Sequence, residues 1–268
     1  MKIALIGVGN LGLSIAQGLV DQTNFDVEQL VLTKRNVSNL DGWKKHPHVL
    51  VTPSNVDAVR ASDIIILCVQ PNQINAILEE IKGELDVKRH VLISTITGRK
   101  IDEIAEVVGK NVAIIRSMPN TAISVGESMT CLCTNGTGKD KIGLAEEIFN
   151  AMGETLVIEE RKMQAATVVC ASGIAFWMRL IRATTQGAIQ LGFDAPEAKE
   201  MATQACLGAA TLLVESGSHP EEEIDKVTTP QGCTISGLNE MEHEGLSSAL
   251  IKGLMKSYEK ISEIMIEK

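Results

Sequence analysis

The sequence is poor in aromatic residues, in positive charge and in long apolar runs. Aromatic side chains make up 3% of its 268 residues, which disfavours recognition of RNA or single strands by base stacking. The formal net charge is −9, so no nucleic-acid partner is expected. Gly7 interrupts the apolar start, and the apolar stretch 165–178 stops at Arg179. We therefore expect neither a signal peptide nor a membrane span.

Cysteine motifs are also missing. The six cysteines form no C-x-x-C pair and no cluster with metal-ligand spacing, so we predict no metal site and reduced thiols in the cytoplasm. Cys131 and Cys133 occupy alternate positions of a predicted strand and should face one side. Packing is favoured over metal binding there, because two thiolates without further ligands make a poor site. Cys233 is interpreted as a small loop residue rather than a nucleophile, since no base is fixed near it.

The first 160 residues alternate between strand and helix patterns. Short runs rich in Ile and Val are separated by segments with helical spacing, which indicates a mostly parallel sheet covered on both faces. Strands are predicted at 3–7, 28–33, 48–52, 63–69, 90–96, 111–118 and 154–159.

Helical periodicity replaces the strand patterns in the remainder of the chain. Residues 163–191 contain no proline, which predicts one long helix, and a capping-box pattern at Asp194 and Glu197 starts the next one. The predicted fold class is therefore α/β followed by all-α, with domains at 1–160 and 161–268. Alanine-rich helical faces suit close packing, either within the domain or between subunits.

The first strand runs into Gly7-Val8-Gly9-Asn10-Leu11-Gly12 and then into a helix. In this context the three glycines are typical of a dinucleotide site. Gly7 allows the tight turn, Gly9 lets the backbone approach a pyrophosphate, and Gly12 lets the helix pack on the strand. A purely structural turn is the alternative.

The end of the second strand indicates which dinucleotide is bound. An NAD site has Asp or Glu there to bind the ribose 2′-hydroxyl, whereas this sequence has Thr33, Lys34 and Arg35. Two cations and a hydroxyl suit a 2′-phosphate, so NADPH is predicted in preference to NADH. A solvated basic loop is the alternative.

The segment VTTPQGCTISGL (227–238) places a Pro-x-Gly turn directly before a helix that carries Thr234 in its first turn. Unpaired backbone N–H groups at such a helix start can hold a carboxylate, and the Thr234 hydroxyl can bond a ring nitrogen. Taken alone, the residues favour an ordinary Pro-Gly turn with a threonine cap over a binding site.

Several stretches resemble those of the pyrroline-5-carboxylate reductase family, and together they cover the chain from end to end. They are GVGNLG (7–12), DIIILCVQP (63–71), RSMPNT (116–121), GAATLLVESGSHP (208–220) and VTTPQGCTISGLNEME (227–242). The resemblance implies a Rossmann domain followed by an all-α dimerisation domain, in a homodimer or a higher homo-oligomer. It also implies hydride transfer from NAD(P)H to the small cyclic imine 1-pyrroline-5-carboxylate, which gives L-proline.

The resemblance further assigns roles to individual residues. Thr234 is the catalytic candidate, in contact with the ring nitrogen. The implied substrate site consists of Gly232, Cys233, Thr234 and Asn120. With the glycine motif, the implied cofactor site consists of Ile6, Gly7, Val8, Gly9, Asn10, Leu11, Gly12, Thr33, Lys34, Arg35, Asn55, Cys68, Val69, Gln70, Pro71, Thr95, Ile96 and Thr97.

The sequence departs from the family pattern at four places. Gln70 replaces a lysine, Gln231 a glycine, and Cys233 a small or hydroxyl residue, while segment 171–176 lacks a proline and a tyrosine hydroxyl. These changes keep two alternatives open: a divergent reductase of another cyclic imine, and a nucleotide-binding protein with little catalysis.

Overall fold

The computed structural model describes residues 1–21 and 27–266. Its strands are β1 (Lys2–Ile6), β2 (Gln29–Thr33), β3 (Val49–Thr52), β4 (Ile64–Leu67), β5 (Val91–Ser94), β6 (Ala113–Met118), β7 (Ser128–Thr134) and β8 (Gly153–Val157). They form one sheet in the order β3-β2-β1-β4-β5-β6-β7-β8. Every neighbouring pair is parallel except β6 and β7. The predicted α/β class with a mostly parallel sheet is confirmed.

Helices follow most of the strands. They are α1 (Asn10–Asp21), α2 (Asn55–Ala61), α3 (Ile74–Ile81), α4 (Ile101–Val108), α5 (Ile142–Asn150), α6 (Met163–Ala166), α7 (Gly173–Gln190), α8 (Ala195–Ser216), α9 (Pro220–Lys226), α10 (Cys233–His243) and α11 (Leu246–Ile266). The predicted capping box is present at the start of α8, where the Glu197 N–H donates to Asp194 Oδ1 at 2.9 Å.

Alternation of side chains along the strands builds a core on each face of the sheet. In β1, Ile3 and Leu5 belong to one apolar cluster, while Ala4 and Ile6 belong to the other. Both faces must be apolar because helices cover both. Cys131 and Cys133 of β7 lie in the same cluster, which confirms that they face one side.

The strand order reverses at β1, whose neighbours in the sheet are β2 and β4. The loops that follow β1 and β4 therefore border a crevice at the carboxyl ends of the strands. Open α/β sheets bind their ligands at such a reversal.

The chain forms two compact units. The first unit contains Met1–Ser172 together with the chain from Tyr258 onward, and the second unit is Gly173–Ser257. The end of α11 contacts α6 within the first unit, where Gln164 Nε2 donates to Ser262 Oγ at 2.6 Å. The sequence-based division at residue 160 stays a prediction.

The stretch expected to be one long helix is interrupted. A π-helical turn at Thr167–Ser172 separates α6 from α7. Two carbonyl groups near this turn accept side-chain hydrogen bonds. Thr167 Oγ1 donates to the carbonyl of Met163 at 2.8 Å, and Asn120 Nδ2 donates to the carbonyl of Cys170 at 3.2 Å. Such bonds stabilise an irregular turn without proline, so the long helix predicted from residue 163 is present and contains one π-helical turn.

The helical stretch Glu160–Gln190 also extends beyond the apolar segment seen in the sequence. Its 31 residues, with a mean hydropathy of 1.4, are long and apolar enough to cross a membrane, and 17% of the apolar window is buried. Length and composition alone do not separate a membrane span from a helix covered by another subunit.

Candidate active site

The three glycines of the β1–α1 turn differ in what the structure requires at each position. Gly7 has φ +83°, and a Cβ there would collide with Val69 Cγ1. A Cβ on Gly12 would lie 3.0 Å from Val8 Cγ1, because α1 packs closely on the strand. A Cβ on Gly9, in contrast, would meet no atom within 4 Å. Protein packing does not require glycine at Gly9, and the open space there would let a ligand approach the backbone closely.

A chain of hydrogen bonds holds this turn to the neighbouring elements. The Gly7 N–H donates to Thr33 Oγ1 at 3.1 Å, and Thr33 Oγ1 donates to Asn55 Oδ1 at 2.7 Å. Asn55 Nδ2 then donates to Glu80 Oε2 at 2.9 Å. Thr33 is buried, with 1% exposure. Its hydroxyl therefore fixes the glycine turn and orients the Asn55 amide.

A cavity of about 850 Å³ lies at the crevice, within the size range of cofactor sites. It brings together ten of the predicted cofactor residues from the ends of three strands and the start of α2. These residues are Gly7, Val8, Gly9, Thr33, Lys34, Arg35, Asn55, Cys68, Val69 and Gln70.

The other predicted cofactor residues do not line this cavity. Ile6 is fully buried and Gly12 is packed against Val8. Asn10 and Leu11 form the first turn of α1, and Pro71 follows Gln70. Thr95, Ile96 and Thr97 follow β5, beside the loop after β4, since Thr95 Oγ1 donates to the carbonyl of Leu67 at 2.9 Å.

The cavity also contains residues that the sequence analysis missed. They are Asn36, Pro53, Asn72, Gln73, Ala76, Ile77 and Glu80. Gln73, Ile77 and Glu80 are spaced by three or four residues at and within α3, so they share one helix face. That spacing is visible in the sequence, but the sequence does not show that this face borders the crevice.

Charge at the cavity is mainly positive. Lys34 is half-buried and Arg35 exposed, and neither forms an ion pair within the described chain. Glu80 is the lining carboxylate, and it accepts the Asn55 amide. Desolvation raises the pKa of the Cys68 thiol to about 12, against the opposing effect of a hydrogen bond with Thr95. Cys68 is therefore a neutral wall residue rather than a nucleophile.

Asn120 follows β6 and is held by three hydrogen bonds. Its N–H donates to Ser128 Oγ at 3.1 Å, its Oδ1 accepts from the Ala122 N–H at 2.8 Å, and its Nδ2 donates to the carbonyl of Cys170 at 3.2 Å. Its side chain is therefore fixed in one orientation by backbone groups on both sides.

The predicted substrate loop lies in the second unit. Gly232 is the N-cap of α10 and provides no side-chain cap, so the helix start relies on other partners. Thr234 is exposed in the first turn, and its hydroxyl has no hydrogen bond to any residue that the structure describes. A Cβ on Gly232 would lie 2.5 Å from Thr229 Oγ1, which makes the turn specific for glycine.

Gln231 has φ 62°. This left-handed conformation is the one that glycine favours. The turn thus keeps a glycine-type backbone although glycine is replaced.

Two family models match the chain. Residues 2–98 match NADP oxidoreductase coenzyme F420-dependent, and residues 160–264 match pyrroline-5-carboxylate reductase dimerisation. The second match includes the whole of the second unit, and the first includes all the residues that line the cavity at the crevice.

Several proteins that are similar over nearly the whole of this chain are pyrroline-5-carboxylate reductases. Pyrroline-5-carboxylate reductase 1 of Dictyostelium discoideum is 45% identical over 99% of this chain, which spans 50% of that relative. Pyrroline-5-carboxylate reductase 2 of the same organism is 41% identical over 98% of this chain and 92% of its own. A solved pyrroline-5-carboxylate reductase from Coxiella burnetii is 30% identical, with a TM-score of 0.89 over 98% of this chain and 97% of that one. Since the likeness covers nearly the full length of the second relative, the resemblance seen in the sequence is confirmed, and this chain belongs to the pyrroline-5-carboxylate reductase family.

Proposed function

We propose that this protein reduces 1-pyrroline-5-carboxylate to L-proline with NADPH. The observation that carries the proposal is the turn into α10. There, Gln231 keeps the left-handed backbone, Gly232 leaves the helix start without a side-chain cap, and Thr234 presents an exposed hydroxyl that has no hydrogen bond with the described part of the chain.

The cofactor residues fit a reduced dinucleotide phosphate. The open space beside Gly9 leaves room for a pyrophosphate at the N-terminus of α1. Lys34 and Arg35 are placed at the cavity to bind a 2′-phosphate. When bound, the reduced nicotinamide supplies the hydride. The Asn55 amide is held in one orientation at the same cavity, because its Oδ1 accepts from the Thr33 hydroxyl and its Nδ2 donates to the Glu80 carboxylate.

The proposed substrate-binding residues supply few polar groups, because a protonated C=N bond is already electrophilic. Backbone N–H groups at Cys233 and Thr234 bind the substrate carboxylate, where the positive end of the helix dipole favours an anion. The Thr234 hydroxyl oxygen accepts a hydrogen bond from the protonated ring nitrogen and keeps the proton there. Positioning of this kind can lower a barrier by up to roughly 7–11 kcal/mol.

A homo-oligomer formed by the helical region completes the proposal. Within the second unit, the buried residues are Gly173, Thr185, Ala198 and Ala202. Large apolar side chains are exposed instead, among them Trp177 at 57% and Leu212 at 56%. A unit with so little core needs a covering surface. We assign that role to a second copy of the chain rather than to lipid, in a cytoplasmic enzyme.

The test is NADPH oxidation by the purified protein with 1-pyrroline-5-carboxylate, beside a six-membered cyclic imine carboxylate. We expect higher kcat/KM with the five-membered ring. Higher kcat/KM with the six-membered ring would instead support a divergent reductase. Tight NADPH binding without turnover on either would support a nucleotide-binding protein.

The role of Thr234 is tested by Thr234→Val. A hydrogen bond to a charged group contributes about 1.5–3 kcal/mol, so we expect kcat/KM to fall roughly 10- to 100-fold. Thr234→Ser keeps the hydroxyl and is expected to retain most activity. Full kcat/KM in the valine variant would contradict the assignment.

A further inference from the structure

Two thiols that the proposed reaction does not use lie side by side in the first unit. Cys131 is a buried residue of β7, and Cys170 is a half-buried residue of the π-helical turn. Their Sγ atoms are 3.9 Å apart. A disulfide requires about 2.05 Å, so the sulfurs need to approach by about 2 Å.

The pair is placed where such an approach is possible. A π-helical turn holds one residue more than an α-helical turn of the same rise, and its backbone can rearrange locally. Cys131, on the other side, is fixed in the sheet, where it pairs with Met118 of β6. Closing the gap therefore requires movement of Cys170 rather than of the sheet.

The two thiols also differ in reactivity. The hydrogen bond from Cys131 lowers the pKa of the Cys170 thiol to about 7. The thiolate is the reactive form of cysteine, and Cys170 is the more exposed of the two. Cys133, two positions along β7, is buried, and desolvation raises its pKa to about 11. Cys133 therefore provides an unreactive thiol, on the same face of the sheet as Cys131, that serves as a control.

We propose that Cys131 and Cys170 form a reversible disulfide when the protein meets a hydroperoxide. The Cys170 thiolate attacks one peroxide oxygen and breaks the O–O bond, which gives a sulfenic acid and, after protonation of the leaving oxygen, water. The Cys131 sulfur then attacks Cys170 Sγ, loses its proton and displaces a second water. Two thiols and one hydrogen peroxide thus give one disulfide and two waters.

The disulfide acts on Asn120, which the family resemblance assigns to the substrate site. The Cys170 carbonyl accepts the Asn120 amide at 3.2 Å, so movement of Cys170 toward β7 removes or redirects this bond. Misplacement by about 1 Å near the reacting groups can cost on the order of 100-fold in rate. Oxidation is therefore expected to lower kcat reversibly, by about tenfold or more. This consequence rests on the proposed function, whereas the disulfide itself does not.

The experiment exposes the intact reduced protein to hydrogen peroxide, blocks the remaining thiols with an alkylating reagent and maps the peptides by mass spectrometry. We expect one disulfide-linked peptide pair containing Cys131 and Cys170, which a dithiol reductant restores to two thiols. Oxidation of Cys170 only to a sulfinic acid, a Cys131–Cys133 linkage, or a disulfide between chains would each overturn the proposal.

Variants separate the disulfide from the activity. Cys170→Ser and Cys131→Ala are expected to abolish the linked peptide, while Cys133→Ala retains it. If the reduced protein reduces no imine, the proposed function fails, and peptide mapping still decides on the disulfide. If the reduced protein is active, loss of activity on oxidation must be absent in Cys170→Ser and present in Cys133→Ala. An equal loss of activity on oxidation in Cys170→Ser and Cys133→Ala would overturn the proposed effect through Asn120.

Discussion

Gln231 is the non-glycine residue with a positive φ in the described chain. For an L-residue the left-handed conformation costs about 1–2 kcal/mol, and part of that cost is offset because glycine loses more entropy on folding. We expect Gln231→Gly to raise the free energy of unfolding by about 1 kcal/mol, measured by urea unfolding. Gln231→Ala removes the side chain but keeps the strain, so it should not give this gain. Equal stabilisation by both variants would show that the side chain, not the backbone, was unfavourable.

Lys34 and Arg35 carry the prediction of cofactor preference. We expect Lys34→Ala with Arg35→Ala to lower kcat/KM for NADPH roughly 100-fold or more, since each of the two lost charge-assisted bonds contributes about 1.5–3 kcal/mol. The kcat/KM measured with NADH should change little, because NADH has no 2′-phosphate. The double variant Lys45→Ala with Lys88→Ala, at two exposed positions outside the cavity, controls for the loss of two positive charges. A parallel fall with both cofactors would place the two cations elsewhere on the dinucleotide.

The role of a single residue was predictable where neighbouring positions in the sequence alone require that residue type. The distinct roles of Gly7 and Gly12 in turn and packing follow from the glycine spacing and agree with the Cβ positions. Glu80 was not predictable, because its contact with Asn55 joins positions 25 apart in sequence. Cys170 was missed for the same reason, since its partner Cys131 is 39 positions away.

At the scale of elements, a buried titratable group lies directly before β5. His90 is 3% exposed and lies between the Asp86 N–H, which donates to its Nδ1 at 2.9 Å, and the carbonyl of Ser62, 3.1 Å from its Nε2. The ring is thus held neutral, with its proton on Nε2. Desolvation is the main reason that the pKa of His90 is lowered.

This lowered pKa predicts how stability depends on pH. Below about pH 6.5, the ordinary histidine pKa, the unfolded chain binds a proton at His90 that the folded chain resists. The stabilisation is therefore complete above that pH and is lost as the pH falls toward the lower pKa of the folded state. We expect His90→Gln to flatten the decline in unfolding free energy between pH 7.5 and 5.5. His48→Gln is the control, and an equal effect of both variants would contradict the prediction.

Elements were predictable to the extent that their pattern is local. Strands β1 to β6 have short runs of Ile, Leu and Val, which predict them without any tertiary contact, whereas β7 lacks such a run. The π-helical turn was not predictable, because the bond from Asn120 that stabilises it crosses 50 positions. The missing proline in segment 171–176 favoured a regular helix, and tertiary contacts outweighed it.

At the scale of the whole molecule, the second unit predicts that the protein is an oligomer. Leu212 of α8 is 56% exposed, on a face rich in alanine. We expect Leu212→Glu to shift the protein toward monomer in sedimentation and to lower its Tm, because a buried charge without a partner is costly. Val87→Glu, at a first-unit position with 50% exposure, should change neither the oligomeric state nor the Tm. A monomeric parent protein would contradict the prediction outright.

The contact between α6 and the end of α11 has a consequence for synthesis. Gln164 and its partner Tyr258 are separated by 94 positions. At translation rates of about 5–20 residues per second, the interval between them lasts roughly 5–20 s. During that interval the nascent first unit lacks its last helix, and α6 must wait on the ribosome for a segment made after the entire second unit.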